Sequence, residues 1–292
     1  MTLSLLKPFS LRIFVADGDP DGLRLVERSN WVGKAIVFPR ALLPKIQPRE
    51  ELSQTGVYLL LGPREDGEGE MLYIGEGDPV RPRLESHYAQ KDFWNRAVCF
   101  VAAPGQLNKA HVQFLEANLV RLAKAAKRLT LDNGNHPAEP SLSEADCADM
   151  QVFLENMLGM LPVLGIHAFE QAAPMAATVA QTILTCRGKG VTASGYEATQ
   201  GFVVRSGSQA VGESVPSMQQ HVRGKLDLRQ ELIGNGVLQR EGDHFLYAQD
   251  YVFSSPSTAA AVVLGRSANG RIEWKDADGR TLKELQGLEA GR

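Results

Sequence analysis

The sequence predicts an α+β protein built in two parts, and three observations carry that prediction. Short apolar runs bounded by Gly- and Pro-rich turns alternate with stretches of helical periodicity. The chain has 292 residues, longer than one ordinary domain of roughly 100–200 residues. An Ala-rich stretch with no chemistry, QAAPMAATVAQT at 171–182, reads as a seam. At 43% hydrophobic and 22% charged residues, wholesale disorder and collagen-like repeats are excluded.

Residues 11–16 (LRIFVA) and 34–38 (KAIVF) read as strands around the turn GDPDG, giving a small N-terminal β extension over 1–50. Gly56–Leu61 and Met71–Gly75 flank a Gly-rich polar loop and predict an antiparallel hairpin. Val80, Leu84 and Tyr88 recur every fourth residue, so 79–89 is expected to be helical. Residues 97–102 (AVCFVA) predict a further strand. Asn108 is placed to cap a helix running to about Arg128. The order within 51–140 is therefore β-β-α-β-α. Ser141 and Glu144 suggest a capping box for a helix ending near Leu161, before Pro162. Its broad apolar face predicts a rigid bridge, so 141–180 is read as bridging helix and seam. From 181 to 292 a second α+β domain is expected, with β-like runs at 201–205 and 245–253 and helical runs at 219–236 and 257–265.

The net charge of −3 hides a local contrast. Residues 81–128 hold nine basic and three acidic side chains, and 129–172 hold seven acidic and no basic ones. A basic block on a folded unit is an electrostatic footprint for phosphate, although a solvated helix face gives the same pattern. Three scattered cysteines make neither a disulfide framework nor a zinc spacing, and no apolar run reaches the ~18 residues that span a bilayer. With no signal-peptide pattern at the start of the sequence, the expectation is a cytoplasmic protein with no membrane partner.

Glu116 is the most informative residue. Val112, Leu119, Val120 and Ala123 surround it on the helix, placing a carboxylate inside an apolar stripe. Such a carboxylate should be paired, protonated or bound to a metal, unless it reaches water at the stripe edge. Arg83 and His87 are four residues apart and share a helix face, which suits a phosphate oxygen or an ordinary surface pair. Tyr58 and Tyr73 lie on the two hairpin strands.

Gly56-Val-Tyr58, Tyr73-Ile-Gly75, Arg83 ten residues on, Glu116 on a helix, and then Asn133 or Asn135 together resemble the GIY-YIG nuclease superfamily over about residues 54–136. His87 matches a histidine of restriction-type members. Residues 253–274, with Ser255-Pro-Ser257 and Asn269-Gly270 before Trp274, resemble small C-terminal domains that accompany GIY-YIG and restriction or methylase modules in bacteria. The resemblance implies a β-β-α-β-α nuclease core and a metal-dependent DNA endonuclease of restriction, phage defence or repair, with RNA sharing the same phosphodiester chemistry. It implies Mg²⁺ or Mn²⁺ on Glu116, a water positioned or deprotonated by Tyr58 or Tyr73, and charge stabilisation by Arg83. His87 would relay the proton, and one of Asn133 and Asn135 would complete the set. Lys91, Arg96, Arg266, Arg271 and Lys275 are the expected nucleic-acid contacts. The alternative is a catalytically idle nucleic-acid-binding protein with the same fold, but such a binder has no need of a carboxylate facing phosphate.

Overall fold

The computed structural model describes residues 8–64, 69–134, 137–170, 182–199, 201–213 and 223–290. It is α+β, and it divides into two compact units, residues 1–170 and 171–292.

Among the described residues the first unit is built on seven strands: β1 (Leu11–Val15), β2 (Arg24–Arg28), β3 (Gly33–Pro39), β4 (Gly56–Pro63), β5 (Glu70–Gly77), β6 (Arg96–Ala102) and β7 (Thr130–Leu131). Their order in the sheet is β1-β2-β3-β6-β4-β5-β7. Every pairing is antiparallel except β5 with β7. The helices are α1 (Leu43–Ile46), α2 (Arg81–Gln90), α3 (Lys109–Ala126) and α4 (Glu144–Met160).

β4 is apolar at almost every position because both faces of the sheet are covered there. Val57, Leu59 and Leu61 share a core with Ile74 of β5, Val112, Leu115 and Leu119 of α3, and Met157 of α4. Tyr58 and Leu60 point the other way, into a second core with Phe38, Leu43, Leu52, Val80 and Leu84. β6 is equally central and needs a partner on each edge. One is β4; the other is β3, paired from Gly33↔Ala102 to Pro39↔Arg96.

Two expectations change here. The N-terminal strands are not a separate extension, since β1–β3 continue the same sheet. β2 went unread because three of the five residues in RLVER are charged. The helix expected to bridge two domains belongs to the first unit instead. Met150, Phe153, Leu154, Met157 and Met160 of α4 are buried in the same core as α3, and the Phe153 ring lies 4.8 Å from that of Trp31. Each such burial contributes about 1.5–3 kcal/mol, which fixes the helix to its own unit. Its N-cap is Ser143 rather than Ser141, with the hydroxyl accepting from the Asp146 amide at 3.1 Å. Of the proposed seam, residues 171–181 lie outside the described residues.

Among its described residues the second unit holds two antiparallel sheets. One has the order β14-β10-β9-β8, from β8 (Leu184–Gly188), β9 (Val191–Ala198), β10 (Gly201–Val204) and β14 (Tyr251–Phe253). The other is β11-β13-β12, from β11 (Gln209–Val211), β12 (Leu238–Glu241) and β13 (His244–Tyr247). The run at 245–253, read as one β segment, therefore crosses from one sheet to the other, with Asp250 accepting from the Ser206 amide at 2.7 Å on the way. The helices are α5 (Arg223–Gly234), α6 (Pro256–Leu264), α7 (Gly270–Glu273) and α8 (Leu282–Ala290).

The motif at 253–274 has a packing explanation. Ser255 caps α6 by accepting from Thr258 N. Ser257 Oγ accepts from Gly270 N at 3.0 Å, and the buried Trp274 donates its indole N–H to Pro256 O at 3.0 Å. Gly270 lies so close to the Pro256 backbone that a Cβ there would overlap it. Serines, glycine and tryptophan thus tie the start of α6 to the following loop.

Candidate functional site

Register brings the hairpin tyrosines together. Tyr58 of β4 pairs across the ladder with Gly75 of β5, and its ring crosses β5 where Gly75 has no side chain. A Cβ at 75 would overlap the Tyr58 hydroxyl and ring. We expect Gly75→Ala to displace that ring and lower stability by about 1–3 kcal/mol, the usual cost of overpacking. The check is the denaturant midpoint; an unchanged midpoint would mean that the ring moves aside freely.

α2 supplies the next two groups. His87 is buried, and its Nε2 lies 2.9 Å from the Tyr58 hydroxyl. Its ring centroid is 5.7 Å from that of Tyr58 and 4.7 Å from that of Tyr73. Burial, aided by the Arg83 and Lys91 cations, pushes the imidazole down to about 4, so His87 is neutral at pH 7. Burial holds the Tyr58 phenol far above the ordinary phenol range, and the neighbouring Tyr73 adds to this against the pull of Arg83. Tyr73 is half-buried and also raised by burial, with Arg83 and Lys91 lowering it and Glu116 raising it. Arg83 is exposed, and its charge is favoured chiefly by Tyr58.

α3 brings Glu116 from the other covered face. Burial, reinforced by Glu76, pushes its carboxyl up to about 7, against the pull of Arg83 and Lys109. Lys109 Nζ donates to both oxygens of Glu76, at 2.6 and 2.8 Å. Glu116 therefore offers a hard, half-buried oxygen donor in a mixed field of Glu76, Arg83 and Lys109. Among the described residues no group of three or more His, Cys, Asp or Glu is placed to hold a metal ion. A cation here would rest on Glu116 and water, a donor set that suits Mg²⁺.

Asn133 acts on the strand itself. β7 pairs with β5 only at Met71 and Leu72. Beyond that point the Asn133 amide takes over, accepting from Ile74 N at 3.0 Å and donating to Ile74 O at 2.7 Å. Both ends of the amide thereby engage the backbone between Tyr73 and Gly75, so Asn133 clamps the strand that carries Tyr73. Asn135 lies outside the described residues.

Of the expected nucleic-acid contacts, Lys91 belongs to the cluster. Its Nζ is 2.5 Å from Asp132 and 4.7 Å from the centre of the Tyr73 ring. Arg96 is half-buried, with Nη1 donating to Leu164 O at 3.3 Å. In the second unit Arg266 pairs with Glu273 at 2.7 Å, Arg271 Nε donates to Gln286, and the exposed Lys275 bridges Thr185 through its backbone.

Sequence reasoning missed Glu76, Lys109 and Asp132. Two of them had a signal. Strand alternation puts Glu76 on the Ile74 face, toward α3, and Lys109 is seven residues before Glu116 on that helix. Asp132 had none.

A family described as a domain of unknown function (DUF4357) matches residues 184–286, most of the second unit. No curated protein and no solved structure matches the chain. Among the described residues no helix is long and apolar enough to cross a membrane.

Proposed function

We propose that the first unit is a divalent-metal-dependent endonuclease of the GIY-YIG type, hydrolysing phosphodiester bonds in DNA. The observation that carries this reading is the convergence of Tyr58, Tyr73, His87, Arg83 and Glu116, from β4, β5, α2 and α3, into one electrostatically coupled group. These groups match the needs of the reaction. Hydrolysis requires a base for water, positive charge on the phosphoryl oxygens and help for the departing oxygen.

Glu116 would hold Mg²⁺ or Mn²⁺, which when bound supplies charge neutralisation at the scissile phosphate. Arg83, exposed beside both phenols, stabilises the negative charge that develops on the phosphoryl oxygens. Tyr73 is the better base. It is half-buried and has Arg83 and Lys91 to favour its phenolate, whereas Tyr58 is fully buried and engaged by neutral His87. Tyr73 first gives its phenol proton to solvent, favoured by Arg83 and Lys91. The phenolate then takes a proton from the attacking water, whose oxygen bonds to phosphorus as the bond to the departing oxygen breaks, and that oxygen takes up a proton from solvent. His87 and Tyr58 keep Tyr73 in place from the ring side.

The test is incubation of the protein with plasmid, single-stranded DNA and RNA under Mg²⁺, Mn²⁺ or EDTA. Metal-dependent cleavage of DNA supports the reading. Binding without cleavage in any metal would replace it with an idle nucleic-acid-binding protein.

The second unit, in this proposal, adds nucleic-acid affinity and leaves the chemistry untouched. Deleting residues from 181 onward should weaken substrate binding and flatten its salt dependence, because fewer phosphate contacts release fewer counterions. Fluorescence anisotropy across a salt series reads this directly, with circular dichroism to check the fold. Equal affinity and an equal salt slope would assign the second unit to protein–protein contact.

A further inference from the structure

The segment after α3 does more than close the sheet. Asp132 N donates to Leu72 O at 2.9 Å, and the Asn133 amide grips Ile74 on both sides. This clip fixes Asp132 beside the strand that carries Tyr73. Asp132 in turn holds Lys91 Nζ at 2.5 Å, and the ammonium rests 4.7 Å from the centre of the Tyr73 ring. The lysine follows α2 directly, one turn past His87, whose ring covers Tyr73 at 4.7 Å. Both side chains of the Lys91–Asp132 pair are about a quarter to a third exposed, so the pair lies at the rim of the cluster.

We propose that Lys91, anchored by Asp132, is a positioning residue for Tyr73, capping the face of its ring and fixing the phenol in the site, rather than a contact to the nucleic-acid backbone. This rests on the reading of Tyr73 as the base. The charged and titratable groups facing Tyr73 are Arg83 and His87 from α2, Lys91 just beyond it, Glu116 from α3 and Tyr58 from β4. Arg83 and Lys91 thus stand against the carboxylates of Glu116 and, behind Lys91, Asp132, and Lys91 is the cation seated on the ring itself. A cation there favours the phenolate.

The pair makes a prediction whose sign separates positioning from a bare field effect. Asp132 carries a negative charge, so if only charge mattered, Asp132→Asn would ease ionisation of the phenol. If Asp132 acts by holding Lys91 in place, the same substitution releases the cation and hinders ionisation. The experiment places 3,5-difluorotyrosine at position 73, which brings the phenol into an accessible pH range, and follows its ¹⁹F resonance against pH in EDTA. Lys91→Met should raise the titration midpoint by about half a unit to one unit, the effect of one charge roughly 5 Å away in a partly solvated site. Lys91→Arg should stay close to wild type, and Asp132→Asn should move upward with Lys91→Met. An unchanged midpoint in Lys91→Met, or a downward move in Asp132→Asn, overturns the proposal. No nucleic acid or metal is present in this measurement. A wild-type protein that cleaves nothing would count against Tyr73 as a base and leave the titration to decide the role of Lys91.

Discussion

Replacing Arg83 with Ala should lower kcat by about 10²–10³-fold while changing the affinity for DNA far less. The guanidinium lies beside both phenols and is exposed, so it can meet a phosphoryl group, and its full positive charge matters most when negative charge builds up there. Loss of one such preorganised donor typically costs this much in other enzymes. Arg83 should not be needed for folding, since the α2 side chains buried in the core are Leu84 and His87. Single-turnover cleavage at saturating DNA, with binding measured separately, checks the split. A variant that binds poorly but cleaves normally at saturation would make Arg83 an anchor only.

Glu116→Gln should abolish metal-dependent cleavage and, in the absence of metal, stabilise the protein at alkaline pH. The sign follows from the raised carboxyl. Its folded-state value of about 7 stands above the ordinary 4.5, so between these values the folded chain holds the proton more tightly than the unfolded chain. Stability contributed by the neutral form is complete below 4.5 and is lost as pH rises through about 7. Gln carries no charge at any pH and escapes that loss. With solvent screening of a half-buried group allowed for, the gain at pH 8 should be about 1–2 kcal/mol, with almost none at pH 5. Denaturant melts in EDTA at the two pH values measure it. His87 acts at the other end of the scale. Its folded value of about 4 lies below the ordinary 6.5, so its contribution is full above 6.5 and fades as pH falls toward 4. A Gln variant less stable than wild type at pH 8 would show that the Glu116 carboxylate makes a stabilising contact, not a strained one.

The sequence was most legible where chemistry and periodicity coincide. The hairpin of β4 and β5, α2, β6 and α3 were all readable, because apolar spacing marked each one and Asn108 capped the last. β2 was not, because its two apolar residues, Leu25 and Val26, are adjacent and face opposite sides of the sheet between charged neighbours, so no alternation shows. Neither were β8 and β9, whose residues are mostly small or polar. The apolar face of α4 was visible, but periodicity does not name the surface that covers a face. At the candidate site, helix spacing marked Glu116 and the Arg83/His87 pair as candidates. Pairings between distant segments stayed hidden: Lys91 with Asp132, Lys109 with Glu76, and the Asn133 amide with Ile74. Each depends on which segment lies beside β5, and that is set by tertiary structure. The serines, glycine and tryptophan at 255–274 were visible as a pattern, yet their roles as cap and tether emerged only from their partners.

The most direct measurement is cleavage of supercoiled plasmid by wild-type protein and Glu116→Gln, side by side, with Mg²⁺ or Mn²⁺ added, then removed by EDTA and restored. The account predicts nicking or linearisation by wild type that stops in EDTA, returns with the metal, and is lost in the variant while its fold is retained. Cleavage that persists in EDTA, or equal cleavage by the variant, would contradict the metal-bearing role of Glu116 and with it the nuclease site.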